Sequence, residues 1–315
     1  MNWLADQWAH EFVRRAFFGA GLAGLLCGFI GAWVVLRRLA LTTDALSHAM
    51  FPGLAVAAAC CGLSPLGLAV GGLLAGLLTA GGAQFISRSS RLKQDAALGL
   101  LYTLAYTAGL IVLAASGLRA HLDHWLFGHL FALADRDLWQ LWMVTLAILP
   151  LFTALERALA LTVCGEEVAR SMGIRTGALL ALLLAGIVLA ALASFHACGV
   201  VPAVALLIAP AATMRLLTDR LAVTIWGGAL LGAAGALGGT LLALVLNQVS
   251  GGACIALVLG SCFLAVYVFA PRHGVLARHR REDHYCEESF RRWHRPLLAA
   301  HATPRREPVL TRDRP

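Results

Sequence analysis

Residues 16–57 read AFFGAGLAGLLCGFIGAWVVLRRLALTTDALSHAMFPGLAVA. The first half of this stretch, 16–36, carries no charge, and about 20 apolar residues suffice to cross a hydrocarbon core as a helix. Arg37 and Arg38 close that run, and an apolar stretch resumes at 45–62. Working outward, runs bounded by charge, Pro and Gly recur at 66–86, 96–116, 138–155, 177–195, 199–215, 221–246 and 251–270. The short 199–215 holds Pro202 and Pro210 and reads either as a span or as a broken, re-entrant piece. The predicted fold class is therefore all-α, a polytopic membrane helix bundle of about 8–9 transmembrane helices.

Composition agrees with that class. The chain has 315 residues, 59% hydrophobic and 13% charged, whereas soluble domains carry about 25% charged residues. Lys93 is the single lysine, and glycine, with 32 residues, is frequent as in membrane helices. The net charge of +8 is concentrated in the tail, where residues 272–315 hold eleven Arg against six acidic residues. This basicity signals a cytoplasmic tail near anionic lipid and no nucleic-acid partner. The eight cysteines show no CxxC or other ligand spacing and read as small hydrophobes. No cleavable signal stands out, because the first apolar run is long enough to span.

Orientation follows from the positive-inside rule. Arg37 and Arg38, then Arg88, Arg91 and Lys93, then Arg157, Arg170 and Arg175, then Arg215 and Arg220, and finally the tail all fall on one side if the N-terminus is outside. Arg14 and Arg15 are the exception. The loop 117–137, with His121, Asp123, His124, His129, Asp135 and Asp137, would face the exterior. Two ordered-looking pieces would face the cytoplasm. Segment 156–176 holds Glu166, Glu167 and Arg170 on a short helix ended by Gly173, a docking element for a soluble partner or a helix lying on the membrane. The tail from 272 is basic and His-containing and is predicted to be disordered, with His and Cys286 either binding metal or incidental.

Ionisable residues inside the spans are nearly absent, as expected when each costs about 2.5–3.5 kcal/mol to insert. Asp44 and His48 stand out. They are four residues apart and share a helix face. Pro52, four further on, has no N–H to give the carbonyl of His48. Carboxylate, imidazole and carbonyl beside a Pro break suit transient binding of Zn2+, Mn2+ or Fe2+, and the lack of Met or Cys nearby argues against Cu(I). The plainer reading is a hydrogen-bonded Asp–His pair at a helix junction. Asp95, at the start of the fourth span, supports that site or merely caps its helix. His196 and Asn247 read as interfacial. No GxxxxGK[ST], HExxH or GxSxG occurs, so the chain brings no P-loop, zincin or serine-hydrolase chemistry. No permanent cofactor is expected. Two rivals remain, a proton-coupled secondary transporter using Asp44 and His48 as a relay, and a haem-handling membrane enzyme.

VLRRLALTTDALSHAMFPGLAVA resembles the signature segment of the ABC-3 family, the permease subunits of bacterial zinc, manganese and iron ABC importers. LKQDAALGLLYTLAYTAGL, HWLFGHL, EEVARSMGI, CGVVPAVALLIAPAATMRLL and SGGACIALVLGSCFLAVYVFAPRHGVL follow in the family's order, covering roughly residues 12–276. The resemblance implies a type II-like permease domain over 1–271 in the cytoplasmic (inner) membrane. It implies a homodimer of permeases seated on a cytoplasmic ABC ATPase and fed by an extracytoplasmic metal-binding protein. ATP hydrolysis would belong to the ATPase chain, and this chain would be no enzyme. Glu166, Glu167, Arg170 and Gly173 fall on the family's coupling element, and Asp44 and His48 on its intramembrane Asp and His, with zinc favoured as cargo. Thr43 stands where the family usually has Gly, and Asn247–Gln248 where an acidic residue is common.

Overall fold

The computed structural model describes residues 10–37, 39–62, 64–90, 92, 94–115, 130–164, 166–246 and 249–270. The histidines of the 117–137 loop and the whole tail, with its expected disorder, lie outside the described residues. So do Lys93 and Asn247–Gln248.

The described residues form a single 3-10 turn over Leu130–Ala132 and the helices α1 (Glu11–Leu36), α2 (Ala40–Cys61), α3 (Pro65–Ser89), α4 (Gln94–Ala115), α5 (Asp135–Ala154), α6 (Glu156–Cys164), α7 (Glu166–Ser171), α8 (Thr176–Cys198), α9 (Val200–Leu217), α10 (Leu221–Leu246) and α11 (Gly251–Phe269). Among the described residues six stretches are long and apolar enough to cross a membrane, namely Glu11–Leu36, Val70–Ser87, Asp135–Ala154, Thr176–Phe195, Leu221–Leu246 and Gly251–Phe269. Shorter apolar helical stretches run over His48–Cys60, Ala96–Val112 and Pro202–Leu217.

Helix α1 forms the centre. One side of it, with Leu26, Phe29, Ile30 and Trp33 among its buried side chains, packs against α8, α9 and α10. Lipid tails are as apolar as leucine, so burial alone does not hold such helices together, and close backbone packing must. Small residues permit it. Gly24 and Gly28 of α1 lie against the backbone carbonyls of Gly232 and Gly228 of α10, and Gly31 lies against that of Leu207 in α9. A Cβ at any of the three would land on a neighbouring backbone, which cannot move aside. Polar side chains are settled locally. Thr145, Thr213 and Thr240 donate to the carbonyls of Leu141, Ala209 and Ala236 one turn back, at 2.7–2.8 Å. Between α1 and α8 the Cys27 thiol and the Ser194 hydroxyl share a buried contact of 2.9 Å.

A second packing unit pairs α2 with α3 and α4. Gly53 and Gly71 bring the α2 and α3 backbones together, and Gly109 of α4 takes the Pro52 ring. The break expected at Pro52 does not occur, since α2 runs without interruption from Ala40 to Cys61. A neighbouring helix with glycine at the contact accommodates the ring, as is usual for Pro inside membrane helices. Pro202 and Pro210 likewise leave α9 continuous; Pro202 falls in its first turn, where its missing N–H costs no helical bond. Gly199, with φ 94°, makes the one-residue reversal between α8 and α9 that a side chain would strain.

Candidate functional site

In α2, residues 44 and 48 lie one turn apart, a rise of about 6 Å. The His48 ring is partly buried and faces α4, where two tyrosines one turn apart flank it. The Tyr102 ring lies 6.1 Å from it and tilted, and the Tyr106 ring 5.7 Å away and edge-on. These are the spacings at which aromatic rings attract through their quadrupoles. Just below, Ala45 of α2, Ala83 of α3 and Ala97 and Leu98 of α4 make a small apolar cluster to which Tyr102 adds. His48 is therefore held by its neighbours and is not a loose side chain in lipid. The sequence reading missed both tyrosines; the signal for them was the spacing YTLAY within an otherwise aliphatic run. Asp95 sits in the first turn of α4, seven and eleven residues before Tyr102 and Tyr106, so all three share one angular register of the helix.

Two details correct the sequence reading around the pair. Met50 is only two residues from His48, but its side chain turns to the core on α3, against Gly76, and Val188 of α8 packs at the same spot. A thioether is thus near in sequence and on another side of the helix. Thr43 is buried, and its hydroxyl donates to the carbonyl of Leu39 at 3.1 Å. The hydroxyl that replaces the family's usual Gly is thereby satisfied within its own helix.

The segment after α5 is built in two pieces. Arg37, at the end of α1, donates to the carbonyl of Thr162 in α6 at 2.8 Å. The sequence reading used Arg37 only for orientation, yet the side chain ties the central helix to this segment. In the next piece, α7 ends in a Schellman motif, with Ile174 N–H on the carbonyl of Ala169 and Gly173 N–H on that of Arg170, both at 3.0 Å. Gly173, at φ 77°, occupies the left-handed position that this motif requires. Arg170 Nε donates to Thr176 Oγ1 at 3.2 Å and ties α7 to the start of α8. Glu167, Arg170 and Met172 are exposed, with Met172 63% accessible. Glu167, Arg170 and Met172 are thus presented together on a folded, tethered piece.

At the opposite end of the bundle, Arg15 bonds Glu11 at 3.0 Å and Asp135 of α5 at 2.8 Å. One of the two arginines that break the positive-inside pattern is thus neutralised where it stands.

A bundle of apolar helices, one histidine lodged between two of them and a folded polar segment at one end define a membrane permease. The chain belongs to the ABC 3 transport family, whose profile matches residues 9–270. It is 33% identical over 274 residues to the manganese transport system membrane protein MntC of Halalkalibacterium halodurans, covering 87% of this chain and 92% of that one. It is 30% identical to the manganese import system permease protein ScaB of Streptococcus parasanguinis, over 83% and 92% of the two chains. The solved structure of PsaBC from Streptococcus pneumoniae in complex with Fab is similar with a TM-score of 0.77 at 29% identity, over 86% of this chain and 96% of that chain.

Proposed function

We propose that this chain is the membrane-spanning subunit of an ATP-driven importer of a divalent transition metal, with Asp44 and His48 receiving the ion in passage. The observation that carries the reading is His48 lodged between α2 and α4 against Tyr102 and Tyr106, one turn from Asp44, in a bundle otherwise nearly free of ionisable groups. A carboxylate and an imidazole suit Mn2+, Fe2+ and Zn2+ alike. The sequence favours zinc only slightly. Relatives named for manganese or for iron, including the chelated iron transport system membrane protein YfeC of Yersinia pestis, move the preference to manganese, then iron. Two donors from one protomer hold such an ion weakly, which suits cargo that must leave again. Asp95 supports the same stripe of α4 nearer its start.

The partners follow from the same reading. A cytoplasmic ATPase seats on the α6–α7 segment through Glu166, Glu167, Arg170 and the turn at Gly173. An extracytoplasmic metal-binding protein delivers the ion, and two copies of the permease work together. Nine helices of 18 residues or more among the described residues support a nine-span path with the N-terminus outside and the tail in the cytoplasm of the cell that bears this inner membrane.

Reconstituted in proteoliposomes with its ATPase and its metal-binding protein, the chain should move Mn2+ in an ATP-dependent way that excess Fe2+ reduces more than Zn2+ does. His48→Ala removes a proposed direct ligand and should lower uptake at least about 100-fold, more than the loss of a supporting residue typically costs a metal site, while assembly with the ATPase and thermal stability stay close to wild type. Uptake by His48→Ala at the wild-type rate would remove the site assignment. Uptake without ATPase, driven by a pH gradient, would select the secondary transporter instead.

A further inference from the structure

We propose that a groove between α1, α5 and α10 is a binding site for one membrane phospholipid, its phosphate held by Arg14 and an acyl chain lying along the groove. The cavity measures about 1060 Å³ and runs from Glu11 and Asp135 at the rim to Leu25 on α1 and Ala233 and Leu237 on α10. At 1.5 Å per residue, Glu11 to Leu25 spans about 21 Å. One leaflet's hydrocarbon is about 15 Å deep, half the ~30 Å core. The groove therefore reaches from the headgroup layer to the middle of the bilayer, which is the path of a single acyl chain.

Its chemistry is graded the same way. Trp139 and Trp142 of α5 flank the outer part and are 66% and 54% accessible, as tryptophans are at the headgroup level. Deeper, the lining is aliphatic. Arg14 is exposed at the mouth and has no ion-pair partner among the described residues. The rim carboxylates of Glu11 and Asp135 are already engaged by Arg15, so they leave the Arg14 guanidinium available for a phosphate. A second copy of the chain fits this shape less well. A two-fold contact centred on the groove would bring Arg14 towards its own image in a medium that screens charge poorly.

The test uses the full permease purified in mild detergent, with retained phospholipid counted by native mass spectrometry. Arg14→Gln should lower retention roughly fivefold, the weight of one arginine at a lipid surface, and Arg14→Lys should keep most of it. Ala233→Phe, which fills the deep end, should lower retention by a similar factor. Independently of any variant, a phospholipid with a photoreactive acyl chain, in vesicles of mixed phosphatidylethanolamine and phosphatidylglycerol, should label wild-type peptides around Phe18, Trp142 and Leu237. Labelling spread evenly over all lipid-facing helices overturns the proposal. So does wild-type retention in both Arg14→Gln and Ala233→Phe, or conversion of a dimer to a monomer by Ala233→Phe with lipid retention unchanged.

Discussion

The α1–α10 seam and the α2–α4 unit are both helix pairs in one bundle, and they are put together on opposite terms. Along α1 and α10 glycines bring two backbones into contact, and polar groups such as Thr240 and Cys27 are satisfied inside their own helix or across to a neighbour. Between α2 and α4 the contact is made by alanines, a proline ring against one glycine, and two tyrosine rings beside an ionisable side chain. The first arrangement gives rigidity and leaves no room for an ion. The second is packed less closely, around the ionisable group to which the proposed function assigns the ion. A permease needs both, a frame that does not yield and a seam that can change its contacts.

Substitutions at the two places should separate these roles. Gly28→Leu should have the largest effect, because its Cβ meets the Gly228 backbone and no side chain can give way. We expect a loss at or above the ~3 kcal/mol typical of severe overpacking, read as little monodisperse protein on size exclusion and rapid proteolysis. Well-folded Gly28→Leu protein would show that the seam is looser than described. On the proposed function, His48→Ala should affect transport and leave folding intact, the opposite signature.

A smaller effect is expected at Tyr106. Tyr106→Phe keeps the ring edge against His48 and should transport nearly as well as wild type. Tyr106→Leu removes an aromatic contact of about 1 kcal/mol, so uptake should fall roughly fivefold at sub-saturating metal. Equal rates for the two variants would mean that the ring does not position the imidazole. The smallest change should come from Cys27→Ala. It removes the buried contact with Ser194 between α1 and α8, and polar contacts of this kind in membranes average about 0.6 kcal/mol. A shift of a degree or two in thermal unfolding, with unchanged uptake, is the expected result.

Much of the helical layout was legible beforehand. The apolar runs at 16–36, 66–86, 221–246 and 251–270 fall within helices α1, α3, α10 and α11, differing at their ends by a few residues. The physical reason is that lipid demands uninterrupted apolar length and internal backbone hydrogen bonds, and both leave a trace in the letters. Pro52 was harder. Its letters argue for a break, and only the presence of Gly109 on another helix shows why none is needed. Asp44 and His48 could be picked out because charge is scarce in such runs, a property of composition and spacing alone.

What surrounds His48 was not written along the chain in that way. Tyr102 and Tyr106 are more than fifty residues away, and they reach it only because α4 packs on α2. The same holds for Met50, which lies beside His48 in sequence and on a different side of the helix in space. It holds for Arg37, whose hold on Thr162 links the central helix to the segment after α5, and for Arg15, which is neutralised by Asp135 from a distant helix. Sequence alone determined that this chain crosses a membrane and which two residues in it are chemically unusual, because lipid solvation acts on each residue by itself. Tertiary structure decided which groups meet, because contacts between helices depend on the small residues that allow backbones to approach.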